Sequence, residues 1–123
     1  MMITPEELGK KGEEIAVIYL KKEGYKIYAR NWFHDRKEID IIASQGEEIV
    51  IVEVKTREGD YFEEPWEAVS AKKIRNLVDA ADAWLNQEGI DLETRFDVIS
   101  IIFSDDVNYA LTHFPGAFTP PVN

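Results

Sequence analysis

Asp40 and the triplet Glu53-Val54-Lys55 are the residues of this chain best suited to chemistry. Each lies in a short apolar run, Ile39 to Ala43 and Ile49 to Val54, and Ser44-Gln45-Gly46-Glu47-Glu48 between them reads as a hairpin turn. Charged side chains inside such runs are rarely buried unless paired or holding a metal. If the two runs pair antiparallel, Asp40 approaches Glu53. Glu53 and Lys55 then share one face, because strand side chains alternate. Two carboxylates about 4 Å apart would repel by about 4 kcal/mol at an effective dielectric of about 20. Such a pair predicts a bound cation or one raised pKa. Mg²⁺ or Mn²⁺ would polarise a phosphoryl oxygen and acidify a water, which is the chemistry of phosphodiester hydrolysis. These hard ions take carboxylate, carbonyl and water oxygens, so Asp40, Glu53 and the Val54 carbonyl qualify as ligands. Lys55 is suited to orienting the water or stabilising developing charge. The bland alternative is a buried salt bridge, which seldom adds stability over apolar residues.

The elements that must position these groups are readable. Thr4-Pro5-Glu6-Glu7 is a helix start, with Thr at the cap, Pro in the first turn and Glu three residues after the Thr. Leu8, Gly12, Ile15, Ala16, Tyr19 and Leu20 mark one helical face, and Gly24 ends the helix. Tyr25 to Arg30 alternates like a half-buried strand, and Asn31 to Lys37 reads as a polar-aromatic loop. After an irregular acidic stretch at 58–67, a second helix runs from about Ser70 to Gly89. Arg95 to Phe103 is an apolar strand, and Tyr109 to His113 a short last one before the Pro-Gly and Pro-Pro tail. The order αβββαββ predicts an α/β fold: a mixed central sheet flanked by helices, with 39–43, 49–54 and 96–103 as strands covered on both faces.

A chain of 123 residues, 45% hydrophobic, is read as one globular domain spanning 1–123. The absence of cysteine excludes disulfides and thiolate metal sites. Neither a secretory leader nor an apolar run of about 20 residues is visible, so the expected location is the cytoplasm, away from membranes. The net charge of −10 opposes binding to a polyanion, but it is unevenly spread. Residues 1–57 carry 10 Lys/Arg against 11 Asp/Glu, whereas 58–123 carry 4 against 13. Phosphate contacts depend on local clusters. Lys11, Arg36 and Arg57 in the first half, and Lys72 at the second helix, are the candidates. Binding is expected to be weak and salt-sensitive.

With these residues in view, the chain resembles the PD-(D/E)xK, or restriction-endonuclease-like, nucleases, whose minimal signature is an acid, a hairpin and E-x-K. Over nearly its full length it resembles more closely the YraN family of uncharacterised bacterial proteins, relatives of the archaeal Holliday-junction resolvases. The matching stretches include Gly12-Glu13, Gly24-Tyr25, Arg30-Asn31, Glu38-Ile39-Asp40-Ile41-Ile42-Ala43, Val52-Glu53-Val54-Lys55-Thr56-Arg57, Lys72, Arg95-Phe96-Asp97-Val98-Ile99 and Gly116-Ala117-Phe118. The resemblance implies a restriction-endonuclease-like fold. It also implies Glu13 as a helix-borne acid completing the shell of Asp40, Glu53 and Lys55, and branched DNA as substrate. Lys37 departs from the pattern, where a glycine usually precedes Glu-Ile-Asp.

Other residues carry plainer readings. Glu38 is read as an exposed strand-end charge rather than the edge of the site. Arg57 divides evenly between a phosphate contact and a solvated strand end. Solvent-facing readings suit Lys73 and Arg75 better than Lys72. Asp97 is read as a structural partner of Arg95, and His34 and His113 as surface histidines. Trp32, Phe33, Tyr61, Phe62 and Trp66 suit base stacking or a protein-binding patch. The first functional reading is a Mg²⁺- or Mn²⁺-dependent endonuclease on DNA, with RNA not distinguished by these residues and a C2 homodimer suited to branched substrates. The alternative is a non-catalytic nuclease-fold module that binds a protein or nucleic-acid partner.

Overall fold

A computed structural model describes residues 3–59 and 69–120. The aromatic stretch 61–66, and the acidic loop beyond Gly59, lie outside those residues. The elements run α1 (Pro5–Lys22), β1 (Lys26–His34), β2 (Lys37–Gln45), β3 (Glu48–Glu58), α2 (Ala71–Glu88), β4 (Glu93–Phe103) and β5 (Tyr109–Phe118). The order is the expected αβββαββ. The five strands form one sheet in the order β1-β2-β3-β4-β5, antiparallel throughout except that β3 and β4 are parallel, with α2 in the connection between them.

The helix ends follow the chemistry read from sequence. Thr4 accepts the Glu7 N–H at 3.1 Å and Ser70 accepts the Lys73 N–H at 3.1 Å, each satisfying a donor with no partner inside the helix. The β-branched runs form β2, β3 and β4, covered on one face by α1 and on the other by α2. Leu8, Ala16, Val17 and Leu20 of α1 pack on Ile41, Val52, Ile99 and Phe103. Leu77, Ala80, Ala81 and Trp84 of α2 pack on Ile42, Ile51, Phe96 and Val98.

Two strands are longer than the sequence predicts. The 31–37 loop is mostly strand: β1 pairs with β2 as far as His34 opposite Lys37, so the turn contracts to Asp35-Arg36. Asp35 takes the left-handed conformation this turn needs, at φ 56°. Strand β5 likewise continues past His113 to Phe118. Pro115 has no N–H for the ladder, and the register shifts there, which an edge strand tolerates. Gly116 absorbs the shift at φ 59° and turns its N–H to Asp97.

One contact ties α1 to β3. A Cβ on Gly12 would collide with the Thr56 Oγ1 atom. Gly12 therefore sets how closely the helix carrying Glu13 approaches β3. Gly12→Ala is expected to cost about 1–3 kcal/mol in urea unfolding, and adding Thr56→Ala should recover part of that loss.

Candidate metal and catalytic site

The last paired residues of the β2–β3 ladder at this end are Ile41 and Val52, and Asp40 and Glu53 are next in register. Here the strands part. Strand β2 continues against β1, and β3 continues in parallel with β4 to Glu58 opposite Phe103. Parting leaves backbone groups of β3 without a strand partner. The Asp40 carboxylate fills the gap, its Oδ2 accepting the Val54 N–H at 2.8 Å. In an extended strand the N–H and C=O of one residue point to the same edge. The Val54 carbonyl therefore faces the same gap. Glu53 lies on the α2 face of the sheet, with Ile51 two residues before it.

Both carboxylates are buried, Asp40 at 8% exposure and Glu53 at 6%. The Oε2 atom of Glu53 accepts no hydrogen bond, and the Lys73 ammonium stands 3.5 Å from it. Burial first, then the charge of Asp40, pushes the Glu53 carboxyl up to about 8, against a smaller opposing pull from Lys73 and Lys55. Glu13 is also raised, by burial and by Asp40, with Asn31 and Arg30 opposing. Glu38 is raised for the same two reasons, with Lys73 opposing. Asp40 is thus the charge that Glu13, Glu38 and Glu53 all feel. Among the described residues no group of three or more His, Asp or Glu side chains is gathered as a metal cage. A pair is enough for Mg²⁺, which keeps several waters and uses one or two carboxylates. An orphaned buried carboxylate oxygen, a second carboxylate and a carbonyl are donors of the kind such an ion takes.

The structure brings Glu13, Asp40, Glu53, Val54 and Lys55 toward one end of the sheet and separates the phosphate-contact candidates. Lys11 is engaged elsewhere: its ammonium donates to the Asp106 carbonyl and lies 5.4 Å over the Phe103 ring. Arg36 is exposed in the β1–β2 turn, and Lys72 is exposed at the start of α2. Arg57 is half-buried and donates to the Thr56 carbonyl at 3.0 Å. Lys73, not Lys72, is the lysine of that helix that reaches the acids. Its signal was in the periodicity: Leu77, Ala80 and Trp84 follow it at four, seven and eleven residues, on the face α2 buries. Glu38 is half-buried beside Asp40, not a solvated strand end. Asn31, beside Glu13 and opposing the rise of its pKa, adopts φ 48° inside β1, a conformation Asn tolerates better than most residues.

Asp97 has a different role. It is fully buried and accepts both Nε–H and an Nη–H of Arg95 at 2.8 Å, the His113 Nε2–H at 2.7 Å and the Gly116 N–H at 2.9 Å. Burial alone would raise its pKa, but the bonds from His113, Arg95 and Gly116 hold it below the ordinary carboxylate range. It is the structural partner of Arg95 that its place in an apolar strand predicts. His113 is no surface residue. Its side chain is buried between Asp97 and the Tyr19 hydroxyl, 2.8 Å from Nδ1, because β5 runs on past it.

Residues 12–101 match the model of the Uncharacterised protein family UPF0102, in agreement with the YraN resemblance. A UPF0102 protein of Bacteroides thetaiotaomicron is 46% identical over 121 residues, covering 98% of this chain and 99% of that protein. One from Phocaeicola vulgatus is 40% identical with the same coverage. Among solved structures, a Holliday junction resolvase from Archaeoglobus fulgidus aligns with a TM-score of 0.46 and 20% identity. The alignment covers 88% of this chain and 77% of that one. A likeness that distant does not transfer function.

Proposed function

This chain belongs to the UPF0102 family, and from the acids it gathers where β2 and β3 part we propose that it is a divalent-metal-dependent nuclease acting on DNA. The observation that carries the reading is the buried Glu53 carboxyl beside Asp40, with one oxygen that accepts no hydrogen bond. A fold gains nothing from such a pair unless something else completes it. Asp40, Glu53 and the Val54 carbonyl would hold Mg²⁺ or Mn²⁺, with Glu13 completing the set from α1. The ion would supply charge neutralisation at the phosphoryl group and a more acidic water. Lys55 stands on the Glu53 side of the strand, where its ammonium orients the attacking water or meets the charge that develops on the phosphoryl oxygens. No described helix is long and apolar enough to cross a membrane.

The test is incubation with labelled four-way, flap, single-stranded and duplex DNA, and matched RNA, in Mn²⁺ or Mg²⁺ at low salt. Metal-dependent cutting is expected, and the form cut fastest names the substrate class. The sequence resemblance puts branched DNA first. Binding without cutting would favour the non-catalytic module, a reading consistent with the acidic second half of the chain.

A further inference from the structure

We infer that Lys73 is a substrate-binding residue, carried by the first turn of α2 to the acid pair, where its ammonium takes a phosphate of the nucleic acid strand being cut. This deepens the nuclease reading and rests on it. Four other cations around the sheet are held by anion or carbonyl partners away from the acid pair. Arg30 pairs with Glu14 at 2.8 Å, Lys37 with Asp79 at 2.9 Å, Arg95 with Asp97 at 2.8 Å, and Lys11 with the Asp106 carbonyl. Lys73 instead faces the site: its ion pair is with Glu53, at 3.5 Å, and its side chain is 35% exposed.

That ion pair is loose. The Glu53 oxygen it approaches accepts no hydrogen bond, so the ammonium is beside the carboxylate without being fixed to it. A dication on Asp40 and Glu53 would repel the ammonium from Glu53, its ion-pair partner among the described residues. Its flexible four-carbon stem would let it swing to the nearest anion. In a nuclease complex that anion is a phosphate. Ser70 takes the Lys73 N–H, so the backbone of this residue is already engaged. The side chain alone carries the role. A static alternative is that Lys73 only neutralises Glu53 and Glu38, whose carboxyls it faces.

The two roles separate in the salt dependence of binding. DNA affinity of the full chain would be measured against salt concentration in Ca²⁺, an ion that takes the same oxygen donors, for wild type, Lys73→Met and Lys73→Arg. Loss of one phosphate contact is expected to lower the slope of log affinity against log salt by about 0.7–0.9, and Lys73→Arg should restore it. A slope unchanged in Lys73→Met, or not restored by Lys73→Arg, overturns the inference. So does a change confined to Mn²⁺ affinity without nucleic acid, which is the mark of a static counter-ion. Absence of DNA binding by the wild type overturns both readings. Wild-type binding without metal-dependent cutting contradicts only the nuclease, and the slope still decides Lys73.

Discussion

Replacing Asp40 by Asn is expected to lower metal-dependent cleavage about a thousandfold while leaving the fold intact. Asn keeps the size of Asp and an oxygen to accept the Val54 N–H that Asp40 accepts at 2.8 Å. It removes the charge that Glu13, Glu38 and Glu53 feel in common. A metal-assisted step draws several kcal/mol of charge stabilisation from its ion, and each 1.4 kcal/mol lost is about a factor of ten in rate. Because repulsion among the acids falls, unfolding of the metal-free variant should be no easier than that of wild type. Cleavage rate and thermal unfolding on the same preparation check both halves. Cleavage retained at the wild-type rate would remove Asp40 from the mechanism.

Glu53→Gln has the second large effect, and its sign is opposite for stability and function. The Glu53 carboxyl titrates at about 8 in the folded protein, against 4.5 as the ordinary value. The folded state therefore holds a proton that the unfolded chain has released between those two values. Stability from this group is fully present below pH 4.5, declines as pH rises and is lost above about 8. Glu13 and Glu38 are raised as well and act in the same direction. Gln cannot ionise, so in EDTA the variant should keep its stability where wild type loses it, by a few kcal/mol at pH 9. Urea unfolding at pH 5, 7 and 9 reads this directly. Parallel curves for the two proteins would mean that Glu53 is not held protonated by burial. The same substitution should abolish cutting, as expected where a site's demands oppose the fold's.

Much of this arrangement was legible in the sequence because local chemistry and tertiary need agree. Thr4 and Ser70 cap their helices as their positions predict, and the runs around Ile41, Ile51 and Ile99 are buried central strands. The approach of Asp40 to Glu53, one step beyond the last paired residues, followed from a hairpin, whose register is local. What escaped depended on partners distant in the chain or on one residue's rotation about a helix. His113 is buried only because Asp97 and Tyr19, on separate elements, close around it. Lys72 and Lys73 differ by about 100° around α2, and that rotation decides which one meets Glu53. Strand β1 passes through Asn31 in a left-handed conformation that no alternation pattern reveals. Strand β5 crosses a proline that only an edge position permits.

The most direct test of the central claim is a Mn²⁺ titration, followed by the spectroscopic signal of the free ion, at pH 7 and pH 9. Wild type, Asp40→Asn and Glu53→Gln would be compared. With the Glu53 carboxyl at about 8, the ion must displace a proton at pH 7 but not at pH 9. One ion per wild-type chain is predicted, bound about tenfold more tightly at the higher pH and lost in both variants. Equal binding by the three proteins, or no bound ion at either pH, would contradict a metal held by Asp40 and Glu53.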